Sequence, residues 1–151
     1  IRRANWQTGL QAAAEEANCV FVSPCLDGFV LVIGLPRFPE QGLAGAFRQV
    51  QAFATHRVTE YHAWARWDSG TLERMYVYDG SRGVVTVQTG ELTAQEIALG
   101  FGRFPQKGRE DRCEANPTEE DVLDLAAAWG VDPRMEAAAY PPSAGWICTV
   151  R

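Results

Sequence analysis

From residue 58 the sequence changes period. Val58-Thr59-Glu60-Tyr61-His62-Ala63-Trp64-Ala65-Arg66-Trp67 alternates as a strand does, Asp68-Ser69-Gly70 signals a turn, and Leu72 to Tyr78 alternates again. On this second run Arg74, Tyr76 and Tyr78 share one face, and Met75 and Val77 take the other. Asp79-Gly80-Ser81-Arg82-Gly83 turns the chain once more, and Val84 to Gln88 returns. Strand side chains point to opposite faces with period two. Three such runs joined by short turns predict a three-stranded antiparallel meander. A sheet of this kind has an apolar face to bury, and the rest of the chain must supply the cover.

The flanking segments supply helices and further strands. Trp6, Leu10, Ala13, Ala14 and Ala17 recur at helical spacing and predict a first helix that ends near Asn18. Cys19 to Ser23 reads as a strand, Asp27-Gly28 as a turn, and Phe29 to Leu35 as a second strand, continuously apolar and so expected to be central. Pro36, Pro39 and Gly42 punctuate a loop, after which Leu43, Ala46, Phe47, Val50, Phe53 and Ala54 predict a second amphipathic helix. Thr93-Ala94-Gln95-Glu96 is a capping box, in which the hydroxyl accepts from an orphan helix N–H and the Glu reaches back; that short helix should stop at Gly100. Residues 102–117 read as a long loop. Thr118-Glu119-Glu120-Asp121 opens another helix with acids in its first turn, where the macrodipole favours them. Its inner face is Val122, Leu125, Ala126 and Trp129, and Trp146 to Val150 reads as a last strand. The expected fold class is α+β: one antiparallel sheet of five or six strands, with three or four helices packed mainly on one face.

At 151 residues the expectation is a single domain, 1–151, able to bury roughly two-thirds of its unfolded surface. The 46% hydrophobic content and five tryptophans argue for a packed core and against a disordered chain. No apolar run approaches a membrane span, and Ile1-Arg2-Arg3-Ala4-Asn5-Trp6 lacks the apolar stretch of a signal peptide, so the expected compartment is the cytoplasm. Cys19, Cys25, Cys113 and Cys148 form no CxxC pair and are read as reduced, mostly buried thiols; an exported, disulfide-bonded form stays open.

Charge is unevenly spread. Residues 1–90 carry eight acids and eight bases, whereas residues 91–151 carry eleven acids and six bases and hold the whole net charge of -5. Between 110 and 124, Glu110, Asp111, Glu114, Glu119, Glu120, Asp121 and Asp124 are accompanied by Arg112 alone. A neutral body with one acidic end suits a surface that meets something basic; it equally suits a solvated face that keeps the protein soluble. The same balance argues against direct nucleic-acid binding.

Catalytic constellations are weak. His56 and His62 have no Cys in a signature context beside them, and Gly80-Ser81-Arg82-Gly83 lacks the glycine pattern of a phosphate loop. Glu119, Glu120 and Asp121 lack the alternating acids and glycine of a calcium loop, and the cysteine and histidine spacing fits no zinc site. No enzyme activity, metal or cofactor is expected. Trp64 and Trp67 have opposite parity along their strand, which places one on each face of the sheet: packed on both sides, or exposed on one as a partner anchor.

From Gly70 the chain reads GTLERMYVYDGSRGVVTVQTGELTAQEIALGFGRFP, a skeleton of R-x-Y-x-Y-x-G, then G-x-L-T-x-x-E, then L-G-F. Ala63-Trp64-Ala65 precedes it, and Glu120-Asp121-Val122-Leu123-Asp124-Leu125-Ala126 with Trp129 and Asp132-Pro133 follows. Over roughly residues 58–133 this resembles a group of small bacterial proteins, several of which look like immunity proteins encoded beside secreted antibacterial toxins. The resemblance implies a non-catalytic inhibitor that binds a cognate toxin. With the charge, it implies a basic toxin, first of all a nuclease such as a type VI-secreted DNase, whose phosphate-holding channel acidic side chains would occupy. The expected contacts are Glu110, Asp111, Glu114, Glu119, Glu120, Asp121 and Asp124, with Trp67 as anchor and Asp68 at the adjoining turn. Two other readings are a small-ligand binder or enzyme with a pocket near Arg66, Arg74, Tyr76 and His62, and an adaptor that loads a toxin without inhibiting it.

Overall fold

The computed structural model describes residues 1–34, 44–135 and 143–149. The chain divides into two compact units, one formed by residues 1–37 and 134–151 and the other by residues 38–133. The architecture is mixed α+β, with two antiparallel sheets of four strands each and three α-helices among the described residues. The expected single sheet of five or six strands is therefore corrected to two sheets of four. The ends of the chain build the first sheet and the middle builds the second.

In the first unit, β1 (Arg2–Ala4) leads into α1 (Trp6–Glu15), then β2 (Cys19–Val22), β3 (Val32–Ile33) and, from the far end of the chain, β8 (Gly145–Thr149). The sheet order is β1-β8-β2-β3, so β8 sits between two strands of the amino-terminal segment. Asn5 caps α1 by accepting from the Thr8 N–H at 2.9 Å. The core is Ala4, Ala12, Cys19, Phe21 and Ile147, with Trp6, Ala13 and Ile33 packed against it. Phe21 is fully buried, and a Cβ at Gly9 would lie 2.2 Å from its ring, so α1 reaches the sheet only because position 9 has no side chain. That contact rotates the helix. Its buried residues are Gly9 and Ala12, and Leu10, expected inside, is exposed.

The second strand expected over residues 29–35 is corrected on two counts. Only Val32–Ile33 is a strand, and it lies at the sheet edge with Val30 and Val32 exposed, not at the centre. An apolar run alone does not distinguish centre from edge, because that depends on which distant strand arrives beside it. Asp27 and Gly28, with φ of 48° and 87°, form the expected turn, closed by a Leu26–Phe29 bridge. Leu35, Leu43 and Val150, and the loop expected at Pro36, Pro39 and Gly42, lie outside the described residues.

In the second unit, β4 (Gln49–His56), β5 (Tyr61–Asp68), β6 (Thr71–Asp79) and β7 (Val84–Thr89) pair in chain order. The meander is present, with a fourth strand added at its start. That strand occupies the segment expected as the second helix. Phe53 and Ala54 stand at helical spacing from Val50, yet on β4 Phe53 turns to one face of the sheet, 5.5 Å from the Trp129 ring, while Ala52 turns to the other. Both faces of this sheet are packed, so apolar residues on both sides blur the period-two signal. Val58, expected in a strand, is exposed in a 3-10 turn over Arg57–Thr59.

Two helices follow, α2 (Ala94–Ala98) and α3 (Glu119–Trp129). They cover the face that carries Trp64, Tyr76, Tyr78 and Val85; Phe101, Phe104, Val122, Leu125 and Trp129 complete the core. Trp64 stacks on Tyr76 with ring centroids 4.4 Å apart and planes 18° apart. The opposite face buries Ala44, Ala52, Ala65 and Trp67. The parity argument thus resolves to packing on two sides, and Trp67, at 5% exposure, is corrected from surface anchor to core residue.

Candidate functional site

Several acids of the segment are bound into the fold by hydrogen bonds, and others have exposed side chains. Thr118 caps α3 by accepting from the Asp121 N–H, and the Asp121 carboxylate reaches back to the Thr118 N–H at 2.9 Å. Asp121 also accepts from Arg103 Nη2 at 2.7 Å. Arg103 donates further to the carbonyls of Leu99 at 2.8 Å and Gly100 at 3.1 Å, so one guanidinium ties the end of α2 to the start of α3. Glu119 is gripped by both the Nε and Nη2 of Arg57, which holds its carboxyl below the usual carboxylate range. Glu110 accepts from the backbone N–H groups of Gly108 at 3.1 Å and Val85 at 3.3 Å, and its own backbone N–H, followed by that of Gly108, holds its carboxyl low as well.

Glu110, Glu119 and Asp121, three of the seven expected contacts, thus have structural duties. Asp111, Glu114 and Glu120 are exposed, and Asp124 is half-buried. Asp111 sits in a 3-10 turn over Glu110–Arg112, and Glu114 follows it where the Arg103 carbonyl accepts from the Glu114 N–H at 2.9 Å. Glu120 lies in the first turn of α3. Glu114 is thus exposed on backbone tied to the Arg103 carbonyl, and Glu120 on the capped first turn of α3. Asp68, half-buried at the β5–β6 turn, accepts from the Ser69 hydroxyl at 2.7 Å.

A buried polar network, which the sequence did not reveal as a unit, lies under α2. Arg74 and Glu96 form an ion pair with side chains 1% and 0% exposed. Arg74 Nε donates to Oε1 at 2.9 Å and Oε2 at 3.1 Å, and Nη1 donates to the Thr89 and Gly90 carbonyls at 3.2 and 3.3 Å. Trp64 Nε1 donates to Glu96 Oε1 at 2.8 Å, and the Thr93 N–H and hydroxyl both reach Oε2. The carboxylate that closes the capping box of α2 is therefore also the counter-ion of a strand arginine. Buried charges persist when paired and saturated with hydrogen bonds, and this pair is both. The visible signals were the Thr93–Glu96 spacing and an arginine alternating with two tyrosines; nothing in the sequence joined them.

The alternative pocket residues do not converge on an opening. Arg74 is committed to Glu96. Tyr76 donates its hydroxyl to the Pro105 carbonyl at 2.9 Å, and burial pushes its phenol well above the usual range. His62 is 1% exposed, between the Thr55 hydroxyl at 3.0 Å and the Glu60 carboxylate at 3.4 Å. Arg66 pairs with Glu73 at 3.1 Å. Of the four cysteines Cys19 alone is buried; Cys113 and Cys148 are half-buried and Cys25 is exposed, fewer buried thiols than expected.

Among the described residues no three His, Cys, Asp or Glu side chains come together as a metal-binding group, and no helix is long and apolar enough to cross a membrane. Comparison with protein-family models, with curated proteins and with solved structures finds no match to this chain.

Proposed function

We propose that this chain is an immunity-type inhibitor that binds a cognate secreted bacterial toxin and blocks it by occlusion, without chemistry of its own. The observation that carries the reading is the division of the acidic segment. Asp111, Glu114 and Glu120 are exposed; the Glu114 N–H is tied to the Arg103 carbonyl, and Glu120 lies in the first turn of α3 between the Arg57-bound Glu119 and the Arg103-bound Asp121. Surface carboxylates held on fixed backbone lose little freedom on binding, and they steer a basic partner toward them. The contact set contracts to Asp111, Glu114, Glu120 and Asp124, with Asp68 at a neighbouring turn; Trp67 leaves it because it is core.

A basic nuclease is the toxin class that fits first, and a type VI-secreted DNase is the leading example, because a nucleic-acid channel must be cationic to hold phosphates. Such an inhibitor works in the cytoplasm of the cell it protects. The interior polar groups support a scaffold role, since Arg74, Glu96, Trp64 and Tyr76 are engaged with one another and with backbone.

Growth protection tests the reading. The chain is co-expressed with the toxin candidate encoded beside its own gene, as wild type and as Asp111→Lys/Glu114→Lys/Glu120→Lys. Wild type should restore growth, and the charge-reversed protein should fail to do so while melting at the wild-type temperature. Wild type that binds the toxin without restoring growth would favour an adaptor. Equal protection by both proteins would remove the acidic face from the interface.

A further inference from the structure

A hollow of about 500 Å³ opens beside the outer edge of β7, walled by Gln88, Gly90, Gln106, Lys107 and Arg109. No wall residue is acidic, in a protein whose acids outnumber its bases 19 to 14.

The walls are built, not incidental. Gly90 has φ +75°, and a Cβ there would lie 1.9 Å from the Glu73 carbonyl oxygen, so the chain leaving β7 lies bare against β6. Residues 106–110 fold back along β7: the Lys107 N–H donates to Gln88 Oε1 at 2.7 Å, and Lys107 Nζ donates to the Thr86 carbonyl at 3.0 Å. Gln106 Nε2 donates to the Phe104 carbonyl at 3.0 Å, Gln88 Nε2 donates to Gln106 Oε1, and the Arg109 N–H donates to the Gln106 carbonyl at 2.8 Å. These bonds leave donors over. Lys107 keeps two ammonium hydrogens and each glutamine amide keeps one. Arg109 is exposed and, unlike Arg2, Arg57, Arg66, Arg74 and Arg103, makes no ion pair among the described residues. Glu110 is the adjacent acid; its Oε1 accepts from Gly108 and Val85, and its negative charge lies close enough to interact with Lys107, so an anion here competes with it for that ammonium. The residues that wall the hollow carry an ammonium, a guanidinium and two carboxamides with donors to spare, a donor set that suits an anion with several oxygens arranged around one centre.

We propose that this hollow binds a dianionic phosphate group, as free phosphate or as a phosphate monoester. The inference needs no second protein and stands apart from the toxin reading.

Backbone and side-chain amide NMR signals, followed during titration at constant pH with inorganic phosphate and separately with phosphoserine, test it against sodium chloride at matched ionic strength. The Gln88 and Gln106 side-chain amides and the Lys107 and Arg109 backbone amides should shift and saturate with phosphate. Tighter saturation by phosphoserine identifies a monoester as the ligand, and equal or tighter saturation by inorganic phosphate identifies the free ion. Arg109→Gln should weaken the midpoint about tenfold or more, the loss expected for one charged hydrogen-bonding partner, with an unchanged melting temperature. Shifts that rise linearly, that sodium chloride reproduces, or that persist unweakened in Arg109→Gln would overturn the proposal.

Discussion

Among the described ion pairs, Arg74 and Glu96 are the one buried on both sides, each with the other as its counter-charge. Removing one partner leaves a desolvated charge, so Arg74→Met should cost about 3–5 kcal/mol in urea unfolding. Arg74→Met combined with Glu96→Leu should recover part of that loss, although the capping contacts of Thr93 go with the glutamate. An additive double mutant would show that the pair is uncoupled. Glu119 makes a pH prediction. Arg57 holds its folded-state pKa below the ordinary carboxylate value of about 4.5. The carboxylate therefore contributes stability above that value, and the contribution fades as pH falls through the folded pKa. Melting temperature against pH should fall less steeply below about pH 4.5 in Glu119→Gln than in wild type; superimposable curves would contradict the assignment. The Thr93–Glu96 capping box is legible because its chemistry is local; at Thr118 the sequence shows the helix start and its first-turn acids, and the structure adds the Thr118–Asp121 box. The Arg74–Glu96 pair was not, because 22 residues separate its members and only the packing of α2 on β6 joins them.

Elements follow the same rule. β5, β6 and β7 were readable because tight turns connect them and each strand pairs with its neighbour in sequence. β4 was read as a helix because a sheet packed on both faces erases the alternation that marks a half-exposed strand. α1 was correct in place and wrong in rotation, since the fit of Phe21 into the gap at Gly9 outweighs the spacing of Leu10. Gly9→Ala should therefore destabilise the first unit by about 1–3 kcal/mol through overpacking, less the roughly 1 kcal/mol that alanine gains in a helix. Phe21→Leu in the same chain should reduce that penalty. A stabilising Gly9→Ala in thermal unfolding would mean that α1 does not press on Phe21.

At the scale of the whole chain, two sheets stand where one was expected, because β8 returns from the far end to lie between β1 and β2. Non-local pairing of that kind leaves no mark on local periodicity. The charge asymmetry was legible from composition, but its meaning was only half so. The sequence marked seven acids alike; the fold separates Glu110, Glu119 and Asp121, which hold structure, from Asp111, Glu114 and Glu120, which face solvent. Reversing the first three would disturb the fold directly, so the exposed three are the ones to reverse, with the melting temperature as the control. The central claim is that these exposed carboxylates meet a basic toxin. Its most direct test is a calorimetric titration of the toxin candidate encoded beside this chain's gene, run at about 50 and 200 mM salt, the range over which phosphate-mimicking contacts weaken strongly. The account predicts a one-to-one complex that weakens with salt, and an Asp111→Lys/Glu114→Lys/Glu120→Lys protein that binds weakly with little salt dependence. A complex of unchanged affinity and salt dependence in that variant, or no complex with wild type, would contradict it.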